Sequence, residues 1–267
     1  MNTISRRSVT RRARLSFCAR KVPAYLCVPG RYPLTFGQPA LAKRKKGAFL
    51  KLGALILFVE NVRTSYNAVA DEYARRIFSE LEGKPLDREL LRRFASSLPP
   101  RASVCDLGCG PGQVGKFLHG LNLEVMGIDL SDGMIETARR LTPEIDFRVG
   151  DMTQLRIEDE SLDGIAAFYS IVNLSREVHP VVFSEAYRVL RPNGKLLISF
   201  HIGSEQIHLD DWWERKVSLD FYFFEPSLVA GVLVEAGFCV DEIIERDPYP
   251  GVEHPSRRAY LFCTKKS

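Results

Sequence analysis

From residue 62 onward the apolar and polar positions fall into two alternating rhythms. Short, nearly uninterrupted apolar runs at 103–107, 124–128, 146–149, 164–169 and 195–200 predict buried strands. Between them, segments 112–118, 133–141 and 177–190 carry helical spacing. Strands alternating with helices predict a parallel sheet covered on both faces, because a strand reads as a continuous apolar run only when neither side meets water. Upstream, a helix begins near Thr64 with Val69, Tyr73 and Ile77 on one face, and a second helix at 87–97 stops before Pro99-Pro100. Downstream, Val217, Leu219, Phe221 and Phe223 alternate within an aromatic-rich stretch, 212–224, which predicts an extra strand or lid. A helix at 227–236 and strands at 239–245 and 258–263 complete the pattern.

Composition changes this picture mainly at the start of the chain. With 267 residues, 45% of them hydrophobic, the chain can bury one large core and add a small appendage. Residues 1–60 hold 13 Lys/Arg against the single acid Glu60, so the whole-chain charge of +4 conceals a net −8 in the remainder. The positive charge lies outside the folding part, which argues against nucleic acid as a partner. Two domains of unequal kind follow: a basic extension at 1–61 and a folded domain at 62–267. The extension reads as disordered, as translated sequence ahead of the true start, or as an Arg/Ser-rich organelle transit peptide. Its apolar run, 47–59, includes Lys51 and falls short of the ~20 apolar residues a spanning helix needs, so no membrane span is expected and a surface anchor is the minor reading. The expected location is cytoplasmic, or organellar if 1–60 is a transit peptide. Six cysteines without a CxxC pair predict reduced thiols and no metal site, with Cys105 and Cys109 serving as small packing residues.

The candidate chemistry sits where strands end. Asp106-Leu107-Gly108-Cys109-Gly110-Pro111-Gly112 follows the first strand and opens a helix, so its glycines let the backbone turn sharply and approach a ligand. Gly110, Gly112 and Gly115 also satisfy GxGxxG, so the loop alone does not separate a dinucleotide from another adenosine ligand. Asp106 favours S-adenosylmethionine, since a carboxylate there repels a pyrophosphate and attracts an ammonium group. Asp129 ends the second strand and suits both ribose hydroxyls, while Ser131 or Asp132 suits the cap of the next helix. Leu130 adjoins it, and Met134, one turn on, suits the adenine face. Asp151 and the backbone N–H of Met152 close the third strand unit, where they suit the adenine edge; turn chemistry explains Gly150-Asp151 equally well.

These segments, together with 190–196 (Leu-Arg-Pro-Asn-Gly-Lys-Leu), resemble class I S-adenosylmethionine-dependent methyltransferases, in particular small-molecule types such as quinone-biosynthesis enzymes. The resemblance covers about residues 64–265. It implies a doubly wound, Rossmann-like seven-stranded sheet with its last strand antiparallel, a helical N-terminal cap and a small aromatic lid. It further implies that Gly108 and Gly110 lie under the methionine and ribose, that Asp129 holds the ribose, that Asp151 binds the adenine edge, and that Tyr66 or Tyr73 covers the cofactor.

Methyl transfer from a sulfonium is an in-line displacement, so alignment and exclusion of water matter most. A hydroxyl, thiol or acidic-carbon acceptor adds a need for a general base. His201, Tyr169 and Asn173 lie at strand ends; His179 and His208 are further options. Tyr169-Ser170-Ile171-Val172 replaces the Asn/Asp-Pro-Pro-Tyr/Phe stretch used on amino groups of adenine or glutamine, and no Pro-Cys pair serves pyrimidine C5. The expected partner is therefore a small hydrophobic or aromatic acceptor, taken up by a monomer or homodimer. The competing readings are a non-catalytic S-adenosylmethionine-binding protein and an NAD-dependent oxidoreductase.

Overall fold

The computed structural model describes residues 41–266, with side chains from Val59 onward. Expectations for residues 1–40 lie outside the described residues. Helix α1 runs unbroken from Leu41 to Ile77, so neither the start at Thr64 nor the boundary at residue 62 marks a break in the helix. Among the described residues, no helix is long and apolar enough to cross a membrane.

After a 3₁₀ turn at Glu80–Gly83 and helix α2 (Pro85–Ser96), the chain enters the alternating region. It contains β1 (Ser103–Leu107), α3 (Gln113–His119), β2 (Glu124–Asp129), α4 (Asp132–Leu141), β3 (Asp146–Val149), β4 (Leu162–Phe168), α5 (His179–Val189) and β5 (Leu190–His201). A hairpin of β6 (Gln206–Trp212) and β7 (Arg215–Tyr222) follows, then α6 (Pro226–Glu235), β8 (Phe238–Arg246) and β9 (Arg258–Lys265). The main sheet has seven strands in the order β3-β2-β1-β4-β5-β9-β8. The first five pair in parallel, and β9 runs antiparallel between β5 and β8. Strand order reverses between β1 and β4, and that switch point opens a crevice at the carboxyl edge.

Successive strand residues supply opposite faces of this sheet. Cys105, Ile165 and Leu196 pack with Val182, Phe183 and Leu233 of α5 and α6, whereas Val104, Ala166 and Leu197 pack with Leu91, Phe94 and Leu118 of α2 and α3. Each fully buried Leu, Val or Phe contributes roughly 1.5–3 kcal/mol of transfer free energy, which is why these strands tolerate so few polar residues.

Two elements roof the crevice. Asn67 Oδ1 of α1 accepts from Ser131 Oγ at 2.6 Å and from Gly133 N at 3.0 Å, which docks α1 onto the start of α4. A Cβ on Gly133 would stand 3.2 Å from Ala70 Cβ and Asn67 Cα, so the two helices approach at the limit glycine allows. On the other side, Ser218 N of β7 donates to Ser65 Oγ at 2.9 Å. The hairpin corner, Trp213-Glu214, has φ of 52° and 64°, the left-handed pair that a tight two-residue turn requires. Glu214 N donates to Asp211 Oδ1, Trp213 stacks on Trp212 at 4.5 Å, and the Arg76 guanidinium lies over Trp213 at 5.1 Å; these contacts hold the corner without glycine. The aromatic lid is thus a two-stranded hairpin, and its first strand was not expected.

Candidate active site

The crevice encloses about 450 Å³, within the usual range for small-molecule sites. Its floor is the glycine loop. Gly108 and Gly110 hold φ of 72° and 53°. The N–H groups of Gly108 and Cys109 donate to Ile128 O at 2.7 and 3.0 Å, tying the loop to the end of β2. Asp129, the last residue of β2, accepts from Gly110 N at 2.9 Å and from Ser131 N at 2.9 Å. Burial pushes its carboxyl above the usual range, against the pull of those N–H donors. A ligand offering hydroxyl donors at this carboxylate relieves that cost.

The structure brings Gly108, Gly110, Asp129, Leu130, Met134, Asp151, Met152, Tyr66 and Tyr73 into the lining of one cavity. Asp151 Oδ1 accepts from Thr153 N at 2.8 Å and Thr153 Oγ1 at 2.7 Å, so turn chemistry occupies one of its oxygens. Ser131, as expected, caps α4 by accepting from Met134 N. Met134 packs beneath Val69 and Ala70 of α1, and Tyr66 and Tyr73 meet Trp212 edge-on at 6.0 and 5.7 Å.

Two residues expected at the cofactor do not line the cavity. Asp106 is buried beneath α3, where Oδ2 accepts from Gly115 N at 2.7 Å, and burial raises its pKa to about 7. Strand alternation turns this side chain away from the ligand edge, so its expected contact with an ammonium group is corrected. Gly112 faces inward too: a Cβ there would stand 2.6 Å from Phe147 Cζ, which makes it a packing glycine.

The candidate bases sort in the same way. The Tyr169 ring lines the cavity, but its hydroxyl points behind it, to Tyr260 Oη at 2.9 Å and Asp87 Oδ1 at 3.2 Å. Burial raises its pKa, and the Asp87 carboxylate raises it further. Asn173 spends its amide on structure: Oδ1 accepts from Tyr66 Oη at 2.7 Å and Nδ2 donates to Asp220 O at 2.8 Å, joining roof to floor. His179 is buried in an aromatic slot of Phe183 and Phe224, off the cavity wall, and His208 is on the surface, paired with Asp220 at 2.8 Å. His201 remains. Its ring lines the cavity between Tyr169 and Phe223, 5.3 Å from each, with Nδ1 2.8 Å from Ser256 Oγ. Burial, then the positive Arg258, lowers its pKa to about 3, so the imidazole is neutral at physiological pH.

Several wall residues were not expected from the sequence. Gln113 Oε1 and Ser170 Oγ are buried without a hydrogen-bond partner, and both residues line the cavity beside the glycine loop. Glu80 enters from the 3₁₀ turn and Lys84 from just after it, Glu253 and His254 from the segment before β9, and Arg258 from the first residue of β9. Lys84 Nζ lies 2.6 Å from Glu80 and 3.5 Å from Glu253, which also meets Arg258 Nε at 3.0 Å. Orphaned acceptors beside the loop, a carboxylate at the end of β2 and a second at the end of β3 fit an S-adenosyl ligand: donors at the amino-acid end, hydroxyls in the middle, an amino group on the base.

Residues 104–194 match the model of the methyltransferase domain. Those residues carry the methyltransferase domain, and the fold is that of solved S-adenosylmethionine-dependent methyltransferases. Among curated relatives, the malonyl-[acyl-carrier protein] O-methyltransferase of Serratia marcescens is 28% identical over 157 residues, 58% of this chain and 61% of that protein. A demethylmenaquinone methyltransferase of Beutenbergia cavernae is 31% identical over 133 residues, 48% of this chain and 55% of that one. The chain thus spans about 55–61% of the length of these relatives. Among solved structures, a methyltransferase from Methanosarcina mazei aligns with a TM-score of 0.59 at 16% identity, over 64% of this chain and 95% of that one. A Pyrococcus horikoshii protein aligns with a TM-score of 0.56 at 24% identity, over 73% and 99%. The likenesses to solved structures establish the fold, and that fold also houses a [4+2]-cyclase, which aligns with a TM-score of 0.54.

Proposed function

We propose that this protein transfers a methyl group from S-adenosylmethionine to a hydroxyl of a small apolar or aromatic acceptor. The observation that carries the reading is the pairing of the Asp129 ribose site with a neutral His201 across one cavity walled by Trp212, Phe221 and Phe223. The relatives' names support methyl transfer to small or carrier-bound molecules, and the quinone-type relatives support an aromatic ring.

S-Adenosylmethionine, when bound, supplies an electrophilic methyl carbon and a neutral thioether leaving group. Gly108, Gly110, Asp129 and Asp151, which line the cavity, would hold and orient it, and the roof of Tyr66, Tyr73 and Trp212 would exclude water. The acceptor oxygen forms the new bond to carbon as the carbon–sulfur bond breaks, and its proton must leave. In the tautomer whose Nδ1 donates to Ser256 Oγ, Nε2 of His201 would carry the lone pair that takes that proton. A base of low pKa suffices, because an oxygen gaining a methyl group becomes strongly acidic only as the bond forms. Incubation with methyl-labelled S-adenosylmethionine and a panel of phenols, quinols and matched amines tests this. Label on the hydroxylated aromatics supports the reading; label on the amines alone contradicts it.

A further inference from the structure

We propose that Glu80, Lys84 and Gln113 form a clasp for the zwitterionic amino-acid end of the S-adenosyl ligand, the task Asp106 is too deeply buried to perform. This rests on the S-adenosyl reading of the cavity. Glu80 comes from the 3₁₀ turn after α1 and Lys84 from just after that turn; both line the cavity, and Gln113 lines it from the first turn of α3, immediately after the glycine loop. The two acceptors at this corner lack good donors. Gln113 Oε1 is buried with no partner, and Glu80 Oε1 receives only a long 3.4 Å bond from Gln113 Nε2. An ammonium group answers both at once. Pairing with a half-buried carboxylate such as Glu80 is what such a cation requires when it leaves water.

Lys84 supplies the complementary charge. Its side chain is 5% exposed, with Nζ held by Glu80 at 2.6 Å, by Glu253 at 3.5 Å and over the Tyr169 ring at 5.1 Å. An ammonium has three donors, and Glu80 and Glu253 engage two of them, so the third is left for a carboxylate entering the cavity. Glu80 and Lys84 hold each other at 2.6 Å, which sets the site for the ligand's amino group beside the site for its carboxylate.

The test compares two ligands that differ only at this end. S-Adenosylhomocysteine carries the amino and carboxylate groups, whereas 5′-methylthioadenosine keeps the nucleoside and lacks both. Calorimetric titration into the full chain and its Glu80→Gln and Gln113→Leu variants is expected to show S-adenosylhomocysteine weakened about ten- to hundredfold in Glu80→Gln and less in Gln113→Leu. Binding of 5′-methylthioadenosine should stay within about twofold in both, which also certifies a folded site. Equal weakening of the two ligands, or no change in either, overturns the clasp. Failure of the unaltered protein to bind either ligand contradicts the S-adenosyl reading itself.

Discussion

Gly110 donates its backbone N–H to Asp129 Oδ2 at 2.9 Å, so the turn after β1 and the carboxylate after β2 form one hydrogen-bonded unit. Ligand contact at one of them is felt at the other.

The two loop glycines should not respond alike to alanine. A Cβ on Gly110 meets only Tyr73 Cε1, at 3.9 Å, so Gly110→Ala should cost about 1–2 kcal/mol, the penalty of a left-handed L-residue. A Cβ on Gly108 would stand 2.3 Å from Ser170 Cβ, and Gly108→Ala should cost about 3 kcal/mol or more. Urea unfolding of both variants checks the order; equal losses would contradict it.

Asp106 makes stability pH-dependent in a defined direction. Its carboxyl is raised from 3.8 to about 7 in the folded protein, so below pH 4 both states hold the proton, and as pH rises towards 7 the unfolded chain releases it first. Stability from this group is therefore full below pH 4 and lost as pH passes through 7. Asp106→Asn should gain on the unaltered protein by about 2–4 kcal/mol between pH 4 and pH 8, read as the difference between their urea midpoints. A constant difference across that range would show that Asp106 is ionised throughout.

Asn173 ties Tyr66 of the roof to Asp220 of the hairpin. Asn173→Ala leaves two half-buried groups without this partner and should cost about 1–3 kcal/mol, whereas Tyr66→Phe should cost about 1 kcal/mol. Hydrogen exchange of the amides in 206–222 should quicken more in Asn173→Ala. Unchanged exchange would mean that the hairpin is held by its tryptophans alone.

For His201, removal should affect turnover and not cofactor binding. His201→Ala should lower kcat by about 10²–10⁴-fold while leaving S-adenosylhomocysteine affinity within a few fold. Because its pKa is lowered to about 3, the unaltered protein should show no loss of kcat from this group between pH 7.5 and pH 5. A limb near pH 6.5 that vanishes in His201→Ala would mean a solvated imidazole instead.

What the sequence made legible follows from physics that acts locally. A central parallel strand must be apolar on both faces, and the run 103–107 coincides with an observed strand for that reason, whereas 146–149 is an edge strand that buries only Phe147. Strand β6 escaped notice because it is mostly exposed, with His208, Asp210 and Asp211 interrupting any alternation. Asp106 was placed at the right edge but on the wrong side, since a glycine loop says where the backbone turns and not which way the preceding side chain points. Tyr169 and Asn173 were correctly at strand ends, yet their polar atoms answer to Asp87 and Asp220, partners distant in sequence. Glu80 and Lys84 carried no local signal at all, being two charges in a polar segment before Pro85.

Calorimetric titration of S-adenosylhomocysteine and, separately, NADH into the unaltered protein and its Asp129→Ala variant tests the site most directly. An S-adenosyl site predicts binding of the homocysteine nucleoside alone, weakened by about 1–3 kcal/mol in Asp129→Ala. Binding of NADH in its place, or indifference of S-adenosylhomocysteine to Asp129, would contradict it.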